Sequence, residues 1–127
     1  MATKLLIVED QPDIRGLIRA TLEFEDFEIH EAEDGRSGYD TFVALRPSIV
    51  LLDVMMPGEL DGLQVCERIK QSAQGKNTVV ILLTARGQKT DIEIGIKAGA
   101  DAYLIKPFSP LELIETIEAK LPGAQAA

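Results

Sequence analysis

Five runs of strand-like character alternate with five stretches of helical spacing, and this alternation constrains the fold more than any other feature of the chain. Leu5-Leu6-Ile7-Val8, Ile49-Val50-Leu51-Leu52 and Val79-Val80-Ile81-Leu82-Leu83 are unbroken apolar segments of strand length. That is the pattern of parallel strands covered on both faces. Phe27 to Ala32 alternates, and Tyr103-Leu104-Ile105 is short, so these two read as edge strands.

Between the runs lie amphipathic patterns. Ile14, Leu17, Ile18 and Leu22 follow the i, i+3, i+4, i+8 spacing behind Pro12, which suits the first turn of a helix. Tyr39, Phe42 and Val43 repeat the spacing after the turn signal Asp34-Gly35. Leu63, Cys66 and Ile69 form a third stripe behind Asp61-Gly62, an ordinary turn or N-cap signal. Ile92 and Ile96 form a fourth stripe, which Gly99 ends. The last helix has the clearest start: Ser109 as N-cap, Pro110 at N1 and Glu112 at N3 make a capping box ahead of Leu113, Ile114, Ile117 and Leu121. The expected domain is residues 1–121, with residues 122–127 as a frayed tail.

Strict β-α alternation predicts an α/β domain with a parallel sheet and helices on both faces. The fully apolar strands one, three and four belong in the centre and strands two and five at the edges. The order 2-1-3-4-5 satisfies both demands, giving a flavodoxin-like, doubly wound (βα)5 fold. Ligands in such sheets bind at the carboxyl ends of the strands, where the winding direction reverses. Here the reversal falls between strands one and three.

Composition narrows the chemistry. The 127 residues suffice for one domain, and 21 acidic against 13 basic residues leave a net charge of −8. That balance disfavours direct binding to nucleic acid or an anionic membrane, both of which need clustered Lys and Arg. Cys66 is the only cysteine, so neither an internal disulfide nor a CxxC zinc site is available. His30 is the only histidine and lies in an alternating stretch, where a position facing solvent or an edge is expected. A histidine metal cluster is therefore excluded, and a hydrolytic triad would have to route through that one residue. The sequence carries neither a signal-peptide pattern nor an apolar run of membrane-spanning length, so a cytoplasmic location is expected.

The residues at the strand ends are Glu9 and Asp10 after strand one, Asp53 after strand three, Thr84 after strand four and Lys106 after strand five. Alone, each has an ordinary reading as a solvated turn, a cap or a loop residue. Together they fall along one edge of an independently inferred sheet. Three carboxylates crowded there repel one another, and a hard divalent cation such as Mg²⁺, which takes carboxylate, water and phosphate oxygens, resolves the conflict. Lys106 and Thr84 suit phosphoryl oxygens, one as a point charge and the other as a hydroxyl donor. Asp53, at the end of the central strand beside the reversal, is the candidate nucleophile for an aspartyl phosphate.

Five segments in order carry a family resemblance: Leu5-Leu6-Ile7-Val8-Glu9-Asp10, Ala32-Glu33-Asp34-Gly35, Leu51-Leu52-Asp53-Val54-Met55-Met56-Pro57, Leu83-Thr84-Ala85 and Gly99-Ala100-Asp101-Ala102-Tyr103-Leu104-Ile105-Lys106-Pro107-Phe108. With them the chain resembles the receiver domain of two-component response regulators, of the single-domain chemotaxis type. The resemblance implies that Asp53 takes a phosphoryl group from a phosphohistidine on a sensor histidine kinase or phosphotransfer protein. It implies Mg²⁺ held by Glu9, Asp10, Asp53 and the backbone carbonyl of Met55. Thr84 would move toward the phosphoryl group, Tyr103 would turn inward behind it, and Lys106-Pro107 would be a cis peptide. A rearranged surface around the fourth helix, fifth strand and fifth helix would then control a downstream protein target. From the residues of this chain, Met55 and Arg86, two positions beyond Asp53 and Thr84, are expected to flank the phosphoryl group and govern access of hydrolytic water, with a solvated loop cation as the alternative reading of Arg86.

Two departures stand out. Three residues, Gly58, Glu59 and Leu60, separate Pro57 from Asp61, where the family usually has two. Ala102 replaces an acid typical of a subfamily that dimerises through its output face, so that dimer is not expected. With only a few residues after the closing helix, the chain is either a single-domain regulator or the receiver portion of a longer protein. Two competing readings remain: an unphosphorylated pseudo-receiver that only binds partners, and an aspartyl-phosphate phosphatase. Intact Asp10, Asp53, Thr84 and Lys106 count against the first. Against the second, Asp53-Val54-Met55 lacks the second acid needed to protonate a leaving group.

Overall fold

A computed structural model describes residues 3–23, 25–56, 58–85 and 88–120. Its elements run β1 (Thr3–Val8), α1 (Pro12–Leu22), β2 (Phe27–Ala32), α2 (Gly35–Leu45), β3 (Ile49–Asp53), α3 (Gly62–Gln71), β4 (Val79–Thr84), α4 (Lys89–Lys97), β5 (Ala102–Ile105) and α5 (Pro110–Lys120). All strand pairs are parallel, in the order β2-β1-β3-β4-β5. This is the doubly wound order expected from the apolar runs. The strands reach slightly beyond those runs, so that Asp53 and Thr84 are the last residues of β3 and β4.

Side-chain alternation divides the core in two. Leu6, Val8, Val50, Leu52, Val80 and Leu82 face one side and pack with Phe42 of α2 and with Val65, Cys66 and Ile69 of α3. Leu5, Ile7, Ile49, Leu51, Ile81 and Leu83 face the other, against Ile18 and Leu22 of α1 and Leu113 and Ile117 of α5. Both faces of the central strands are thus covered, which is why they could be apolar without interruption.

The helix starts are written locally. Asp61 caps α3: its carboxylate accepts the Gln64 amide at 2.9 Å, and the Gln64 side chain accepts the Asp61 amide at 3.0 Å. Ser109 and Glu112 exchange the same pair of bonds at α5, at 3.1 and 3.2 Å, so that capping box forms as expected. Asp34 is the N-cap of α2, its carboxylate accepting the Ser37 amide at 2.8 Å, and those bonds hold its pKa below the ordinary value.

The helical stripes are less faithful to burial. Leu17, Val43 and Ile96 fit the apolar spacing yet are exposed. On α4 the only buried residue is Gly95, where a Cβ would stand 2.9 Å from the Tyr103 ring and 3.0 Å from Leu82. A glycine lets this helix lie directly against the sheet, while Ile94 and Ile96 remain exposed. Leu121 and the expected tail lie outside the described residues.

Candidate functional site

Strand register assembles the site before any side chain is considered. Val8 pairs with Leu52, so Glu9 and Asp53 emerge side by side at the winding reversal. Asp53 pairs with Leu83, which places Thr84 one residue further on, and Thr84 pairs with Ile105. The Lys106 amide then donates to the Thr84 carbonyl at 2.7 Å, closing the row. The approach of α3 depends on Gly62, where a Cβ would stand 2.1 Å from the Asp53 carbonyl oxygen, so only glycine starts the helix this close.

Glu9 is fully buried. Its Oε1 accepts from Lys106 Nζ at 2.7 Å and its Oε2 from the Gln11 amide at 3.2 Å. Asp53 is 3% exposed, and its Oδ1 accepts the Met55 amide at 3.2 Å and lies 3.4 Å from Lys106 Nζ. Asp10 completes the group: one carboxylate oxygen from each of Glu9, Asp10 and Asp53 falls within 4.8 Å of the others. Three acids face one lysine, a formal excess of two negative charges.

The electrostatics register that excess. Burial lifts the Asp53 carboxyl from 3.8 to about 7; a hydrogen bond with Glu9 and the Glu9 charge add to the rise, while Lys106 and the Met55 amide oppose it. Without another cation, Asp53 competes for a proton. A divalent ion fits the same need. The donors are all hard oxygens with neither imidazole nor thiolate among them, and three carboxylates leave positions for water, as Mg²⁺ prefers.

The remaining expected residues are placed as follows. Thr84 is fully buried at the end of β4, and Tyr103 is half-buried against the α2/α3 side of the core. The Met55 side chain is 52% exposed beside the acids. Lys106-Pro107 is a cis peptide, as the resemblance implies. In the loop before α3, Leu60 turns back into the core at 5% exposure. Arg86 and Pro57 lie outside the described residues. His30 sits on edge strand β2, 2.7 Å from Glu28, as its alternating context suggests. Cys66 is buried, which pushes its thiol up to about 12 and makes it inert.

Sequence reasoning missed Arg15. Its guanidinium donates to the Glu9 carbonyl at 2.8 Å and to Glu31 at 3.2 Å. Its position one turn into α1, with the acids before it, was the available signal.

Known proteins are similar to this chain over nearly its whole length. The model of the response regulator receiver domain matches residues 5–118. The transcriptional regulatory protein SrrA of Staphylococcus aureus is 40% identical over 126 residues, which are 99% of this chain and 51% of SrrA. The chain thus spans about half the length of the curated relatives it matches. Among solved structures, the chemotaxis protein CheY4 of Vibrio cholerae superposes with a TM-score of 0.89 at 29% identity, covering 95% of this chain and 100% of CheY4. The receiver domain of the sensor histidine kinase PA1611 from Pseudomonas aeruginosa, with magnesium coordinated in its active-site cleft, gives 0.87 at 28%, covering 96% and 99%. With the family model spanning nearly all of its length and the acidic row at the expected sheet edge, the chain belongs to the response regulator receiver domains of two-component systems.

Proposed function

We propose that Asp53 is the phosphoacceptor of a Mg²⁺-dependent signalling receiver. The observation that carries the reading is the carboxylate cluster of buried Glu9 and Asp53 with half-buried Asp10, which Lys106 balances only in part. Glu9, Asp10, Asp53 and the Met55 carbonyl would hold Mg²⁺, which supplies charge neutralisation for the transferring phosphoryl group. An Asp53 carboxylate oxygen attacks the phosphorus of a phosphohistidine on a partner kinase or phosphotransfer protein. The phosphorus–nitrogen bond breaks, the imidazole departs with the electron pair and takes a proton, and an acyl phosphate forms. Lys106, already within 3.4 Å of Asp53, would neutralise the new oxygens, and Thr84 would donate its hydroxyl to them.

The new phosphoryl contacts set the limit on any conformational shift. Thr84 and Tyr103 would carry that shift to the surface around α4, β5 and α5, where a downstream protein would read it. Met55 and Arg86 would control access of water and so the lifetime of the adduct. The protein is then a phosphoacceptor assisting its own phosphorylation and dephosphorylation, not an enzyme acting on a separate substrate. A cytoplasmic site of action is the one that such partners imply; no described helix is long and apolar enough to cross a membrane.

Acetyl phosphate with Mg²⁺, followed by intact mass, tests the reading. A single phosphoryl adduct, labile to hydroxylamine and lost in Asp53→Asn, is the expected result. The absence of any adduct across a Mg²⁺ series overturns it and favours the pseudo-receiver.

A further inference from the structure

We propose that Arg15 is a positioning residue for the metal: it clamps the backbone of the acidic turn and thereby aims the Asp10 carboxylate. The proposal rests on the reading of Glu9, Asp10 and Asp53 as a Mg²⁺ site. Arg15 projects from α1 with a largely buried side chain, 17% exposed. One guanidinium nitrogen donates to the Glu9 carbonyl at 2.8 Å and reaches the Asp10 carbonyl at 3.5 Å. Its Nε donates to Glu31 on β2 at 3.2 Å, and Arg19 also pairs with Glu31, so the fork is tethered to the neighbouring strand.

The three acids need this support unequally. The Glu9 carboxylate is fixed by Lys106 and the Gln11 amide, and that of Asp53 by the Met55 amide and Lys106. The backbone amide of Glu9 is also tied, to the Ala32 carbonyl at 3.1 Å. Among the described residues none donates a hydrogen bond to the Asp10 carboxylate. Its aim is therefore set by the backbone that carries it, and Arg15 grips that backbone on the carbonyl side. A planar fork joining a carbonyl and a carboxylate cannot be replaced by a lysine, which offers a point charge without fixed directions.

Clamping and simple charge predict opposite signs. A cation near the site, acting through space alone, repels a divalent ion, so its removal would tighten Mg²⁺ binding. A clamp does the reverse. The test is calorimetric titration of the unphosphorylated protein with Mg²⁺ for the parent, Arg15→Gln and Arg15→Lys, with urea unfolding of each metal-free protein alongside. The expected result is Mg²⁺ affinity about tenfold weaker in both variants, the scale on which partners of metal ligands act. Parental affinity in Arg15→Lys, or tighter binding in Arg15→Gln, overturns the clamp even if stability falls. Should Arg15→Gln fail to fold, the charge-retaining Arg15→Lys decides alone. A parent that binds no Mg²⁺ overturns the metal-site reading itself and this inference with it, an outcome distinct from a parent that binds and variants that match it.

Discussion

Two lysines in this protein have side chains of equal exposure, 16%, yet stand in opposite electrostatic circumstances. Lys70 of α3 meets one acid, Asp101, at 2.8 Å and also donates to the Thr78 carbonyl at 2.6 Å. Asp101 in turn accepts the Val80 amide at 2.9 Å. The cluster is neutral, complete and partly wet. Lys106, at the opposite end of the sheet, faces Glu9 and Asp53 with Asp10 close by, and the acids outnumber it three to one. A buried pair that balances ties elements together; a buried group that does not balance is costly to the fold, so its retention points to a ligand.

Lysine removal should separate the two ends most strongly. In metal-free protein, Lys106→Met strands the fully buried Glu9 charge, and a loss of about 3–5 kcal/mol in urea unfolding is expected. Lys70→Met leaves Asp101 able to hydrate and still bonded to Val80, and should cost about 1 kcal/mol. Equal losses would break the contrast.

Titration sharpens it next. The folded Asp53 carboxyl, at about 7, lies above its unfolded value of 3.8, so the native state holds the extra proton between those limits. Stability from this group is complete below the unfolded value and disappears as pH rises through the folded one. In metal-free protein Asp53→Asn should therefore match the parent below about pH 4 and exceed it by on the order of 2–4 kcal/mol at pH 8. Asp101→Asn, which breaks a balanced pair, should destabilise instead. If Asp53→Asn also destabilises at pH 8, the acidic end is not under the repulsion inferred.

The cation itself should act more weakly than either change at the acidic end. Mg²⁺ at ten times its dissociation constant should raise stability by about 1.4 kcal/mol in the parent and clearly less in Asp53→Asn. An equal rise from monovalent salt at matched ionic strength would mean general screening rather than a site.

The same contrast explains what could be read from the sequence. Leu5 to Val8, Ile49 to Leu52 and Val79 to Leu83 disclose both their strand character and their central position, because burial on two faces leaves no polar residue. Once order is known, parallel register brings Glu9, Asp53, Thr84 and Lys106 to one edge without knowledge of a single side-chain contact. The Lys70–Asp101 pair and the Arg15 clamp escaped because each depends on which rotamer crosses a gap between elements. Neither gap has a periodic signature. The stripes misjudged Leu17, Val43 and Ile96 for a related reason: spacing reports a helical face, whereas burial depends on how closely the neighbouring element approaches.

That last point bears on α4. With Gly95 as its single buried residue, and Ile94 and Ile96 left 50% and 62% exposed, this helix gains little of the desolvation that anchors α3 through Val65, Cys66 and Ile69. Local opening of α4 is therefore expected at a lower free energy than that of α3, and amide hydrogen exchange along the two helices measures the difference. Exchange of the α4 amides at the rate of global unfolding would show instead that its thin contact with the sheet suffices to bind it into the whole.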